Sequence, residues 1–245
     1  MIHGGAQTAH SWDEVAPELA TDHHVLAIDQ RGHGDSEWAR DGRYRRDDFV
    51  ADIRAFLDDR RWPQATLMGL SLGGLNSIAF TARHGDRVRG LVVVDVAPTV
   101  SRAGGEAIRS HVAVRDFATF EEAVERALAF NPRRTRANIE ERLRHALRQT
   151  ADGRWTYKYD PSIGGSGLEA DFERLWEAVR TIRCPTLLVR GAESAVLAAE
   201  TVDRFAAELP GSEIAVVAGA GHSVMGDNPA SFLAAVKPFL EHHRL

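Results

Sequence analysis

The 245-residue chain has a single cysteine, Cys184, so no disulfide can form within it. Cys184 precedes an apolar run in the segment RCPT, where we expect a small buried side chain rather than a reactive thiol. No apolar run approaches the ~20 residues of a membrane span, and no signal-peptide pattern is found. We therefore expect no membrane partner and a cytoplasmic location.

Lysine is also scarce, since Lys158 and Lys237 are the only two and arginine supplies the remaining basic side chains. The formal net charge is −5 and no block of basic residues occurs, which argues against a nucleic-acid partner. No cluster of His, Asp and Glu has the spacing of metal ligands, so we expect no metal and no cofactor. With 44% hydrophobic and 27% charged residues, the chain has the composition of a globular domain with a sizeable core.

Short apolar runs alternate with helical patterns along most of the chain. The runs are rich in Val, Ile and Leu, end at Gly, Pro or Asp, and predict strands at 24–29, 65–70, 90–96, 186–191 and 213–219. Their continuous apolar character indicates a parallel sheet that is buried on both faces. Helical spacing begins near Phe49 and Val202, and a last helix is predicted to open at Pro229. The pattern predicts an α/β fold with a mostly parallel central sheet and flanking helices.

Residues 99–180 interrupt this alternation, because they contain helical patterns but no convincing buried strand. Thr119 and Asn138 each precede a glutamate by three residues, which predicts two capped helices. We interpret the stretch as a helical insertion over the carboxyl ends of the strands, where ligands bind in such sheets. Its predicted hinge-like start lies at Arg102, Gly104 and Gly105.

The beginning of the chain is unusual, because only Met1 and Ile2 precede the segment HGG. A strand needs about five or six residues. N-terminal strands are therefore expected to be absent: either the domain begins at a loop, or an upstream segment is missing.

The strongest motif is GLSLGG, residues 69–74, between the strand ATLMGL and a helical run. In that context a G-x-S-x-G pattern predicts a sharp turn that exposes the hydroxyl group of Ser71. Gly69 and Gly73 let neighbouring backbone pass closely, and the helix that follows favours developing negative charge beside the serine.

These residues resemble the α/β-hydrolase superfamily, in its cap-bearing esterase, lactonase and carbon–carbon-bond hydrolase branch. The resemblance covers the whole chain: HGG (3–5) resembles the oxyanion loop, DQRGHGDS (29–36) the turn after the next strand, and GAGHS (219–223) the histidine loop. It implies a core at 1–98 and 181–245 and a helical cap at 99–180. It also implies that the strand before HGG lies centrally, between 24–29 and 65–70.

The resemblance implies that Ser71 is the nucleophile and His222 the general base, with backbone N–H groups of Gly5 and Leu72 as the oxyanion hole. The acid is less clear, because the family's pattern places an aspartate where this chain has Ala195. Asp95 at the end of another strand could replace it, Glu193 could reach across from the same loop, or the triad is disabled. The otherwise intact pattern around Ala195 slightly favours a disabled or weakened triad.

The first functional hypothesis is therefore a serine hydrolase that cleaves a small-molecule ester, thioester or lactone through an acyl-enzyme. The alternatives are a non-catalytic binding protein with the same fold, or a carbon–carbon-bond hydrolase. Trp155, Tyr157 and Tyr159 alternate along the chain, which predicts an extended stretch whose aromatic face meets either substrate or the protein interior. The substrate's identity and the oligomeric state stay open.

Overall fold

The computed structural model describes residues 1–165 and 172–245. The strands in these ranges are β1 (Ala65–Leu70), β2 (Val88–Val94), β3 (Asp116–Phe117), β4 (Leu147–Gln149), β5 (Trp155–Tyr157), β6 (Thr186–Gly191) and β7 (Glu213–Val217). The α-helices are α1 (Ala16–Leu19), α2 (Arg46–Asp59), α3 (Leu72–Arg83), α4 (Arg102–Ala113), α5 (Phe120–Phe130), α6 (Arg136–Ala146), α7 (Phe172–Thr181), α8 (Ala199–Glu208), α9 (Val224–Asp227) and α10 (Pro229–His242).

The central sheet has the order β1-β2-β6-β7, and every neighbouring pair is parallel. Side chains alternate across it: Leu91 and Val93 face one apolar cluster, and Val92 and Val94 face the other. Helices α2, α3, α7 and α8 cover the first face, while α9 and α10 cover the second. The predicted parallel sheet, buried on both faces, is therefore confirmed, and so is the opening of the last helix at Pro229.

The predicted strand at 24–29 is wrong over most of its length, because within it only Ile28 forms a bridge, to Ile2. Ile2 also bridges Gly69 of β1, again in the parallel sense. Ile2 therefore lies between 24–29 and β1, at the central position that the family resemblance implies. The backbone hydrogen bonds between 24–29 and its neighbour come from Met1 and Ile2; Ile28 N–H, for example, donates to Met1 O at 3.2 Å. Within the described residues, the rest of 24–29 therefore forms no continuous ladder of strand hydrogen bonds.

The stretch between β2 and α7 contains strands as well as helices. Strands β3, β5 and β4 form a three-stranded antiparallel sheet, so the prediction of an insertion without strands is wrong. Each strand has only two or three residues, too few to show a periodicity of two in the sequence. Tyr157 and Tyr159 are buried in a cluster with side chains of α5 and α6, so the predicted aromatic face packs inside this unit.

Two local predictions within this stretch need correction. Arg102, Gly104 and Gly105 are not a hinge but the first turn of α4, where the Ser101 side chain accepts a bond from Gly104 N–H at 3.0 Å. Helix α6 is capped by Thr135, which accepts from Asn138 N–H at 3.2 Å, so Asn138 is not the cap. The predicted cap at Thr119 is confirmed.

None of the helices within 1–165 and 172–245 combines the length and the apolar character that crossing a membrane requires.

Candidate active site

The candidate residues follow four neighbouring strands at the same edge of the sheet. Ser71 follows β1, Asp95 follows β2, Ala195 lies in the loop after β6, and His222 lies in the loop after β7. Because all four strands are parallel, their carboxyl ends meet at one edge, which is the usual ligand crevice of an open α/β sheet.

The turn at Ser71 is strained in the way its motif predicts. Ser71 has φ 52° and ψ −117°, in a region that side chains other than glycine seldom occupy. Its neighbours have no room for a side chain: a Cβ on Gly69 would overlap the backbone of Gly73, and a Cβ on Gly73 would overlap the carbonyl oxygen of Ile2. Ser71 N–H donates to Val94 O at 3.1 Å, which joins the turn to β2. Helix α3 begins directly after Ser71, so the positive end of its dipole lies beside the hydroxyl group.

Asp95 and His222 are in direct contact, with Asp95 Oδ2 lying 2.8 Å from His222 Nδ1. The side chain of Asp95 is fully buried, while that of His222 is 20% exposed. Two other donors hold the carboxylate: Gly191 N–H reaches Oδ1 at 2.9 Å, and the hydroxyl group of Ser194 donates to Oδ2. A buried carboxylate needs such donors because an unpaired charge in the interior is very costly.

The other two candidates for the acid lie elsewhere. The Glu193 carboxylate binds the guanidinium of Arg133, with Nη2 at 2.6 Å and Nε at 2.8 Å. Ala195 is exposed, and its carbonyl oxygen accepts a hydrogen bond from the Ser101 hydroxyl group. Of the three positions considered, Asp95 is therefore the one whose carboxylate contacts His222.

Sequence patterns missed Ser194, which immediately precedes the expected acid position. Its hydroxyl group donates to Asp95 and accepts from the N–H groups of Val196 and Leu197, at 3.1 and 3.4 Å. The signal that could have identified Ser194 is strand order, because β2 and β6 are neighbours and the loops after them converge. A polar residue after β6 is then placed to support a carboxylate after β2.

The HGG loop is held by a buried polar network. His3 Nδ1 donates to Gly4 O at 2.7 Å and Nε2 accepts from Gln30 N–H at 3.0 Å, a pattern that requires the neutral ring. Burial, together with the nearby His33, lowers the pKa of His3 to about 3. The Gln30 side chain donates to His3 O at 2.7 Å and accepts from Asn76 Nδ2 at 2.6 Å. Because Asn76 belongs to α3, this network ties the HGG loop to the helix that follows Ser71.

The same loop passes next to the serine. A Cβ on Gly4 would lie 3.2 Å from the Cβ of Ser71, and a Cβ on Gly5 would lie 4.0 Å from Leu72 Cδ2. The predicted oxyanion residues Gly5 and Leu72 are thus close neighbours in the structure.

The loop that carries His222 is held by contacts with α9 and with the segment before α6. Asp227 accepts from Gly221 N–H at 2.9 Å, one residue before His222. Its other carboxylate oxygen binds Arg134 Nε at 3.0 Å and Asn131 Nδ2 at 2.7 Å. The Arg134 and Asp227 side chains are 2% and 1% exposed, so this is a buried ion pair. Sequence patterns gave no indication of the pair, because its members are distant along the chain.

Comparisons with known proteins agree with this architecture. Residues 1–229 match the model of the alpha/beta hydrolase fold family. The chain is 32% identical to an esterase of Mycobacterium tuberculosis, over 98% of this chain and 82% of the esterase. The crystal structure of that esterase superposes with a TM-score of 0.82 at 29% identity, covering 98% of this chain and 82% of the esterase chain.

A second curated relative has a more specialised name. The chain is 28% identical to 2-(acetamidomethylene)succinate hydrolase of Mesorhizobium japonicum, over 98% of this chain and 87% of that enzyme. Both relatives are hydrolases, and both match nearly the whole length of the chain. From its fold, its site geometry and its match over residues 1–229, the chain belongs to the α/β-hydrolase family.

Proposed function

We propose that the protein is a serine hydrolase that cleaves a small-molecule ester, thioester or lactone through an acyl-enzyme. The observation that carries the proposal is the 2.8 Å contact between Asp95 and His222, at the same sheet edge as the strained turn of Ser71. The likeness to an esterase over nearly the whole chain supports this substrate class.

In the proposed mechanism, the Ser71 hydroxyl group attacks the substrate carbonyl while His222 Nε2 accepts its proton. Asp95 accepts the His222 Nδ1–H, which fixes the tautomer and stabilises the imidazolium. The N–H groups of Leu72 and Gly5 bind the oxyanion of the tetrahedral intermediate. His222 then protonates the departing alcohol, thiol or ring oxygen. In the second half, His222 activates a water molecule that hydrolyses the acyl-enzyme and restores Ser71.

We assign the acid role to Asp95 rather than to a residue of the 193–195 loop. This differs from the disabled triad that the sequence slightly favoured. The carboxylate in contact with His222 follows β2, the strand next to β6, whereas the 193–195 loop follows β6 itself. Ser194 then acts as a positioning residue, since its hydroxyl group donates to the same oxygen of Asp95 that faces His222. The proposal also keeps the predicted division of the chain into a core, at 1–98 and 181–245, and a cap, at 99–180.

The proposal is tested by labelling Ser71 with a fluorophosphonate probe and by measuring hydrolysis of p-nitrophenyl butyrate. Removing a catalytic serine costs about 10⁶-fold in a well-studied protease, so we expect Ser71→Ala to lose labelling and nearly all turnover. Ser110→Ala, which changes an exposed serine of α4, is the matched control and should keep both.

If the folded wild-type chain is not labelled and its turnover matches that of Ser71→Ala, the enzyme proposal fails. A non-catalytic binding protein would then be the better description.

A further inference from the structure

We propose that His10, Asp13 and His145 form a binding site for a divalent transition-metal ion such as Zn²⁺. The site includes none of the residues of the proposed triad. It joins the segment that follows the HGG loop to helix α6.

Three donor groups from two distant parts of the chain meet at this point. His10 lies in a short 3₁₀ helix, Ala9–Trp12, and Asp13 follows it, while His145 lies in the last turn of α6. One donor atom from each residue can be chosen so that all three lie within 4.8 Å of one another. His10 Nδ1 is 2.8 Å from Asp13 Oδ2, and the rings of His10 and His145 stack with centroids 3.5 Å apart.

The chemistry of these donors favours particular metals. Two imidazoles and one carboxylate suit Zn²⁺, Ni²⁺ or Cu²⁺, whereas Mg²⁺ and Ca²⁺ prefer sites made of oxygen ligands alone. A second carboxylate lies near the site: Glu141, in the same helix α6 as His145, has its Oε1 at 3.3 Å from His145 Nε2. Glu141 or water can complete a four-coordinate site.

Binding requires only small movements of the side chains. Donor atoms around a tetrahedral zinc ion lie roughly 3.4 Å apart. Since the three donor atoms already lie within 4.8 Å of one another, the wider separations must close by at most about 1.4 Å, and the 2.8 Å between His10 Nδ1 and Asp13 Oδ2 must open slightly. The side chains of His10, Asp13 and His145 are 41%, 56% and 36% exposed, so rotations that unstack the rings meet little steric resistance.

An ion at this position would connect two parts of the molecule. The side chains of Asn138 in α6 and Glu14 also bond to each other here, so the site extends an existing contact. An ion that binds only the folded chain stabilises it by RT ln(1 + [M]/Kd), and here it would also restrict movement of α6 relative to residues 9–14. No motif in the sequence indicates the site, because His145 lies far along the chain from His10 and Asp13.

The test is to titrate Zn²⁺ into the metal-free full-length protein by isothermal titration calorimetry, with the wild type, His10→Ala and His145→Ala. His243→Ala is the matched control, since His243 also pairs with a carboxylate, at 2.7 Å from Glu213. We expect one Zn²⁺ site in the wild type and the control, with affinity reduced at least about tenfold in the other two variants. Zn²⁺ should raise the Tm of the wild type and the control more than that of His145→Ala, and Mg²⁺ should bind far more weakly.

The proposal is overturned if all the variants bind Zn²⁺ equally, or if the wild type binds none. It is also overturned if binding survives in His145→Ala but is lost in His222→Ala, because the ion would then occupy the proposed triad. Asp13→Asn is a further variant that removes the carboxylate without removing a ring, and it should weaken binding as well. Circular dichroism of the metal-free variants separates loss of the site from loss of the fold.

Discussion

For single residues, the surroundings of one carboxylate determine the proposed assignment of the acid. Asp95 is completely buried, and its two oxygens are satisfied by Gly191, Ser194 and His222. Ala195 is exposed, and the contact described for it is made by its backbone carbonyl. The local environment therefore supplies hydrogen-bond partners for a carboxylate at 95 and none that would require one at 195.

We expect Asp95→Asn to lower kcat by about 10⁴-fold, because an amide cannot hold the imidazole in the required tautomer. Ala195→Asp should change the rate of ester hydrolysis little. Both rates are measured with an activated ester, using Ser71→Ala as the blank. An increase of several orders of magnitude in Ala195→Asp would contradict the assignment and make position 195 the acid site.

Sequence patterns were sufficient to nominate Ser71 and His222 but not to choose the acid. The serine and the histidine each lie in a glycine-containing motif next to a predicted strand, so local information places them. The pairing of Asp95 with His222 depends on the order β2-β6-β7, which no local pattern encodes. The support from Ser194 follows from the same strand order.

At the scale of secondary-structure elements, the site depends on close backbone packing between β1, α3 and the HGG loop. Gly73 of α3 lies directly against the carbonyl groups of Ile2 and His3. We expect Gly73→Ala to lower the free energy of unfolding by about 3 kcal/mol, because backbone rather than a flexible side chain must move. Gly85→Ala is the matched control, since a Cβ there meets nothing within 4 Å.

Urea denaturation of both variants measures this difference. Equal midpoints and equal slopes for Gly73→Ala and Gly85→Ala would show that the HGG loop can move away from α3 without a cost in stability.

The elements that sequence patterns predicted well are those that bury a complete face. Strands 65–70 and 186–191 were predicted with the bounds that the structure has, since both are apolar and end at clear turn signals. The predicted strand at 24–29 is wrong over most of its length because a strand needs a partner strand to pair with. Met1 and Ile2 are the residues beside it, and within 24–29 the bridge that they form is at Ile28. The short strands β3, β4 and β5 were missed because pairing, rather than side-chain periodicity, defines them.

For the whole molecule, buried neutral histidines contribute to the response to acid. Burial lowers the pKa of His33 to about 4, although the carboxylates of Asp29 and Asp160 favour its charged form, and burial lowers that of His3 to about 3. In the unfolded chain both pKa values return to about 6.5. At these two positions the unfolded state thus binds more protons below pH 6.5, so their contribution to folding stability is complete above that pH and falls as the pH decreases towards 4.

We expect His33→Asn to make this loss shallower. The asparagine amide can replace the bond from His33 Nδ1 to Arg31 O, which is 3.0 Å long, but it cannot take up a proton. The share of the acid loss that His33 contributes is on the order of 3 kcal/mol at pH 4. Thermal melts between pH 4 and 7.5 measure it, with the exposed His242→Asn as control. Parallel stability curves for the wild type and His33→Asn would contradict this origin of the acid sensitivity.

The ion pair between Arg134 and Asp227 limits how freely the segment that carries Arg134 can be exchanged. A segment from another protein that replaces the one carrying Arg134 must place its own cation beside Asp227, because otherwise the buried carboxylate of Asp227 is left unpaired. Asp227 also accepts a hydrogen bond from Gly221 N–H, next to His222. Chimaeras that lack the cation are expected to lose stability and to displace the loop that carries His222. Exchange of this segment between related proteins can therefore produce new specificity mainly when the incoming segment keeps a cation that pairs with Asp227.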